Sequence, residues 1–256
     1  MTSISELLAG VTKTAEGYTA SIPDTWRQGR TAFGGISAAV CVEAALRELE
    51  DLPPLRSAQF TFIGPAAGDV RAVVTPLRRG RSAVFAGVDL FGEEGLALRA
   101  TLTFGAARQS GVAYAHLPPP KAPRPEQCEP AFPNRAPNFL QNFECRDAGA
   151  DRATPVRRLW LRHKDSKAPT RISSLIALAD APPPSAINLA PRPGPISTMN
   201  WMIDVLADQP ASDDGWWLIE NIAETIASGY SSQGSTLWNS AGAPMLVARQ
   251  NVAVFF

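Results

Sequence analysis

Several places in this 256-residue chain carry residue types that could do chemistry. The first is the run WRQGRTAFGGIS, Trp26 to Ser37, where Gly34 and Gly35 stand just ahead of a long apolar segment. A helix opening there would leave its first backbone N–H groups without partners and partly positive. Two residues without Cβ would let another group come close. Three readings fit: a phosphate cradle, a helix-start binding site for some other group, or a tight turn into a buried helix. The second place is Gln250, inside MLVARQNVAVFF. By strand alternation it shares a face with Val252 and Val254, so its amide would need polar partners. Asn200, between Met199 and Trp201, is a similarly awkward amide. Asp180 ends the apolar stretch LIALADA, either as a cap for nearby backbone or as a base. Arg78, Arg79 and Arg81 crowd one turn and could grip an anion bidentately. A solvated loop is their plainer reading.

Other chemistries are excluded by what is missing. The nearest thing to a serine-hydrolase elbow is GYSSQG, which is not G-x-S-x-G. No Lys-Ser/Thr follows FGG, so the glycines do not make a P-loop. His116 and His163 sit in no motif, and Cys41, Cys128 and Cys145 show neither zinc nor disulfide spacing. No metal or cofactor is expected. Lys plus Arg total 24 against 24 Asp plus Glu, so no basic excess marks a nucleic-acid or anionic-membrane partner. No stretch is long and apolar enough for a spanning helix, and no leader pattern opens the chain, which predicts a soluble cytoplasmic protein.

The elements that would position these residues come in two similar sets. Leu117 to Pro137 reads LPPPKAPRPEQCEPAFPNRAP, whose prolines block helix and central strand and predict an extended connector. It separates a first half, residues 1–116, from a second, 138–256. In the first, FGGISAAVCVEAALREL predicts a helix apolar around most of its girth, with one polar stripe through Glu43, Arg47 and Glu50. Strand candidates SAQFTFI, VRAVVTPL, SAVFAGVDLF and LALRATLTFG follow. In the second half RISSLIALADAPPP is a helix stopped by prolines. ISTMNWMIDVL, GWWLIENIAE, GYSSQGSTLWN and PMLVARQNVAVFF then repeat the pattern. Earlier strands at Gly17–Ile22 and Val156–Arg162 would complete the sheets. The expectation is an α+β fold: two antiparallel sheets, each wrapped around a central helix, duplicated in tandem.

That plan is the double hotdog, and specific residues carry a family resemblance. They are the W-x-x-G-R-x-x-F-G-G run at Trp26–Gly35, T-M-N-W at Thr198–Trp201, E-T-x-A-S-G-Y-S-S-Q at Glu224–Gln233 and A-R-Q-N-V-A-V-F at Ala248–Phe255. Together they resemble the acyl-CoA thioesterase II (TesB-like) family, in its bacterial thioesterase-like branch. The resemblance implies hydrolysis of an acyl-CoA to free acid and coenzyme A, with fatty acid metabolism as the setting. It also implies an Asp, a Thr or Ser, and a Gln in the second half that hold and activate a water. Carried across by position, the Gln falls on Gln250 and the Thr on Thr225. The Asp falls on Asn200, which can orient a water but cannot take its proton. Asp180 is the nearby carboxylate that could stand in. Gly34 and Gly35 would polarise the thioester carbonyl, and the Arg78, Arg79, Arg81 turn would meet coenzyme phosphates. The Asn200 departure leaves a non-catalytic acyl or acyl-CoA binding protein as the alternative. Pairing into a homodimer or higher homo-oligomer is a further expectation.

Overall fold

The computed structural model describes residues 2–132, 137–168 and 171–256. Among the described residues are three α-helices: α1 (Ile4–Ala9), α2 (Gly34–Glu48) and α3 (Ile172–Ala179). The strands of the first half are β1 (Thr12–Thr14), β2 (Gly17–Ile22), β3 (Arg27–Gln28), β4 (Thr31–Ala32), β5 (Leu55–Phe62), β6 (Gly68–Arg79), β7 (Ala83–Gly92) and β8 (Gly95–Gly105). Those of the second are β9 (Phe143–Asp147), β10 (Val156–His163), β11 (Ile196–Val205), β12 (Trp217–Ala227), β13 (Tyr230–Asn239) and β14 (Pro244–Val254). Apart from the small β3–β4 ribbon, all strands join one 12-stranded sheet in the order β1-β2-β6-β7-β8-β5-β11-β14-β13-β12-β10-β9.

Read outward from its centre, this order is the same on both sides. The run β5-β8-β7-β6-β2-β1 is answered by β11-β14-β13-β12-β10-β9, so the chain repeats its topology. Two separate sheets are not what forms. β5 and β11 pair antiparallel, Phe60 opposite Trp201 and Gln59 opposite Met202, and fuse the halves into one surface. The physical reason is that unjoined edges would leave two rows of backbone donors and acceptors without partners. The Phe60 and Trp201 rings, 5.5 Å apart, pack on the inner side of the joint.

The two helices are likewise not each enclosed by their own sheet alone: they pack on one another. Glu43 of α2 is buried, and it accepts hydrogen bonds from Arg47 (3.0 Å), Arg171 (3.0 Å) and Ser173 (2.9 Å). The predicted polar stripe on α2 therefore includes an internal ion-pair knot to the start of α3. Gly35 at the start of α2 lies against the Ala177 carbonyl near the end of α3, so the helices run antiparallel. Ala38 and Ala39, one turn after Gly35, are small and fully buried. No helix among the described residues is long and apolar enough to cross a membrane.

The proline-rich segment lies against the second half. Lacking donors of its own over much of its length, it offers carbonyls: the Trp160 indole N–H donates to Pro123 and that of Trp238 to Leu117, each at 2.8 Å. Residues 133–136 of the segment lie outside the described residues. Just beyond it, Phe139 stacks on Phe33 with centroids 4.0 Å apart, and Asn142 donates to the Thr25 carbonyl at 2.8 Å. The chain leaving the connector thus braces the turn that leads into α2.

Candidate active site

α3 is short because Pro182, Pro183 and Pro184 follow it and cannot continue the helix. Asp180 is its C-cap, still in helical backbone geometry. A carboxylate at a helix C-terminus faces the negative end of its own helix. The antiparallel packing brings the opposite end of α2 to it. A Cβ on Gly34 would stand 2.9 Å from Asp180 Oδ2 and 3.1 Å from the Phe62 ring. A Cβ on Gly35 would overlap the Phe33 ring at 2.6 Å and the Ala177 carbonyl oxygen at 2.8 Å. The paired glycines are therefore what lets α2 start this close to α3 and its carboxylate. Gly34, Phe62, Ala179 and Asp180 are half-buried and form the accessible edge of the site.

From the sheet, Gln250 on β14 completes the contact. Its side chain is buried among Ala248, Val252 and Val254, and its Nε2 donates to Asp180 Oδ1 at 2.6 Å. Gln233, opposite it on β13, is wholly buried and donates from Nε2 to Gln250 Oε1 at 2.5 Å. The Ser185 backbone N–H donates in turn to Gln233 Oε1 at 3.1 Å. Burial pushes the Asp180 carboxyl up to about 7, while the Gln250 amide and the Gly35 backbone N–H act in the opposite direction. A carboxyl titrating near neutrality, held by the Gln250 amide and the Gly35 N–H and lying against half-buried Gly34, suits proton abstraction from a bound water.

The structure brings together only part of the predicted set. Gly34, Gly35, Asp180 and Gln250 meet. Asn200 does not: it is exposed on the outer face of β11, where its Oδ1 accepts from Thr61 Oγ1 at 3.1 Å. Trp201, opposite Gln250, is the residue that turns inward there, and alternation puts its neighbour on the other face. Thr225 is also outside. A bulge between Ala223 and Thr225 shifts the register by one, pairing Ala223 with inward Gln233 but Thr225 with Ser232. Thr225 is exposed as a result. Arg78, Arg79 and Arg81 are exposed at the β6–β7 turn, and Arg79 donates to the Glu50 carbonyl at 2.7 Å. That is beyond the far end of α2, roughly 20 Å from Gly35 at 1.5 Å per helical residue.

Gln233 and Ser185 are the members that residue types alone did not single out. A signal existed: counting back along both strands from the SAGA turn sets Gln233 opposite Gln250. Trp216 and Trp217 are both buried in packing. His163 is pushed down to about 4 by burial, and its Nε2–H must donate to the Ser174 carbonyl, 2.9 Å away. It is neutral at pH 7 and committed to α3. Cys41 and Cys145 are raised by burial, Cys145 to about 12, so neither offers a thiolate. Surface cavities of about 450, 540 and 570 Å³ are lined by none of Asp180, Gln250 or Gly34.

Comparison with known structures defines the class first. A hot-dog-fold protein of unknown function from Alicyclobacillus acidocaldarius is 20% identical, covering 100% of this chain and 99% of that one, with a TM-score of 0.90. The tesB protein of Mycobacterium avium subsp. paratuberculosis is 19% identical over 98% and 99% of the two chains, TM-score 0.81. Acyl-CoA thioesterase II TesB2 from Mycobacterium marinum is 16% identical over 98% of each, TM-score 0.79. The fold is thus the hotdog fold, its topology repeated in one chain. No curated protein sequence matches at a significant level. Family models do: the acyl-CoA thioesterase N-terminal domain matches residues 22–105 and the C-terminal domain matches 118–254. The chain belongs to the acyl-CoA thioesterase family, as the sequence resemblance implied.

Proposed function

We propose that this protein hydrolyses acyl-CoA thioesters, with Asp180 as the base. The observation that carries the reading is the 2.6 Å bond from Gln250 to a carboxylate raised to about 7, placed where the start of α2 meets the end of α3. Water bound at the half-buried edge gives its proton to Asp180 Oδ2 as its oxygen attacks the thioester carbonyl carbon. The carbonyl oxygen becomes an oxyanion, facing the Gly34 N–H and the positive end of α2. Collapse breaks the C–S bond, and the proton passes from Asp180 to the departing coenzyme A sulfur. A thioester is already activated, so placed water, a base and oxyanion donors make a sufficient set.

In this reading Asp180, not Asn200, supplies the carboxylate implied by the family resemblance. Asn200 and Thr225 have no part in the step. With Asp180 as the base, the Asn200 departure does not by itself argue for a non-catalytic binding protein. Thiol release from acyl-CoAs of graded chain length tests the proposal, with Gln250→Ala alongside. Turnover with at least one chain length, reduced roughly 10²-fold or more by Gln250→Ala, is expected if loss of the held carboxylate resembles loss of one transition-state donor. Acyl-CoA binding without thiol release from any of them would leave the binding-protein reading in its place.

A further inference from the structure

The Gln250 amide has two ends, and only one orientation serves Asp180. Nothing on Gln250 itself chooses between them. The choice is made further back, at an atom that cannot reverse its role. The Ser185 backbone N–H can only donate, so Gln233 must turn Oε1 toward it, at 3.1 Å. Gln233 Nε2 then points away and donates to Gln250 Oε1 at 2.5 Å. Gln250 Nε2 is left facing Asp180 Oδ1 at 2.6 Å. Ser185 and Gln233 are fully buried, so water has no access to substitute for either. The Ser185 hydroxyl adds only a long 3.5 Å contact to the same Gln233 oxygen. Ser185 is itself fixed by the Pro182–Pro184 run and the helical turn Ser185–Leu189 that follows.

We propose that Gln233 is a positioning residue: it sets the polarity of the Gln250 amide, and thereby commits Asp180 Oδ1 to a hydrogen bond and leaves Oδ2 to exchange the proton. This rests on the hydrolytic role of Asp180 given above. Turned the other way, the Gln250 amide would set its own oxygen against a carboxylate in a partly dry site, where repulsion is strong. Gly34 and Gly35 from α2, Phe62 from β5 and Gln250 from β14 lie against Asp180, and among the described residues no charged group acts on it. Against the rise that burial imposes, the polarity of this amide acts together with the Gly35 N–H to hold the carboxyl down.

The test follows the Asp180 carboxyl directly, by carbon-13 NMR titration of aspartate-labelled protein, with Asp180→Asn to assign the signal. Gln233→Met and Gln233→Leu remove both ends of the relay, and two variants guard against one failing to fold. With Gln250 unanchored its donation weakens, and Asp180 should titrate higher by about half a unit or more. In a Gln250→Ala background Gln233→Met should move that titration no further, because its effect passes through Gln250. The acid limb of kcat/KM should shift in parallel. An unmoved Asp180 titration in a folded variant overturns the proposal. So does a shift of the same size in the Gln250→Ala background, which would show a general loosening of the core. The NMR readout needs no turnover. A shifted titration without thiol release would refute the hydrolytic reading alone, and turnover with an unmoved titration would refute the positioning role alone.

Discussion

Asp180→Asn should stabilise the protein at alkaline pH while removing its base. The Asp180 carboxyl lies at about 7 in the folded chain against an ordinary value of 3.8. The folded state therefore keeps a proton that the unfolded chain has released between those two values. Stability from this group is complete below about pH 4, falls as pH rises toward 7, and is level above that. The difference between 7 and 3.8 is 3.2 units, and at about 1.4 kcal/mol per unit this is a cost of about 4 kcal/mol at pH 8. Asparagine does not ionise, and its Oδ1 can still accept from Gln250. Losing the interaction with the Gly35 N–H costs about 1 kcal/mol. The net expectation is a variant more stable than wild type by about 3 kcal/mol at pH 8, and no more stable at pH 4. Urea unfolding at both pH values reads this as a midpoint gap that opens with pH. A variant equally destabilised at both would refute the reasoning, because it would mean that the ionised carboxylate is at ease where it sits.

Further outcomes follow from the same contacts. Gly35→Ala drives a methyl into the Phe33 ring and the Ala177 carbonyl, and should cost about 1–3 kcal/mol in thermal unfolding. Gly34→Ala crowds Asp180 Oδ2 instead, so thiol release should fall roughly tenfold or more with a smaller loss of stability. Glu43→Ala leaves Arg47 and Arg171 without their shared carboxylate and should cost about 2–3 kcal/mol, with Glu43→Gln recovering part through Ser173. Asn200→Asp, on the outer face, and the triple change Arg78→Ala, Arg79→Ala, Arg81→Ala, at the far end of α2, should each leave kcat/KM within about twofold, since neither touches the carboxylate.

The elements were legible because their signals are local. The strands of both halves and the two main helices lie close to where alternation, turn residues and prolines put them, and the tandem repeat shows in their order. What escaped were relations between halves. Nothing in Leu55–Phe62 or Ile196–Val205 alone says that these strands pair with each other and fuse the sheets. The same gap hid the destination of Glu43, whose partners Arg171 and Ser173 lie in the other half. The site was half legible. Gln250 stood out as an amide on an apolar face, and the glycines as a helix start. Asn200 was misplaced because one residue of register decides which face a strand side chain takes, and Trp201 holds the inner one. Thr225, carried across by position from the family resemblance, lies on the outside because a bulge just before it shifts its face.

The central claim is that Asp180 is the base of a thioester hydrolase. The pH dependence of kcat/KM for thiol release, measured on wild type and Asp180→Asn, tests it most directly. In wild type the rate constant should rise with pH along a single limb centred near 7, as the raised carboxyl ionises. In the Asp180→Asn protein the limb should vanish and the rate at pH 8 should fall by roughly 10²–10⁴-fold, the usual worth of a positioned general base. A variant that keeps wild-type activity, or a wild-type limb that persists without the carboxylate, would contradict the account.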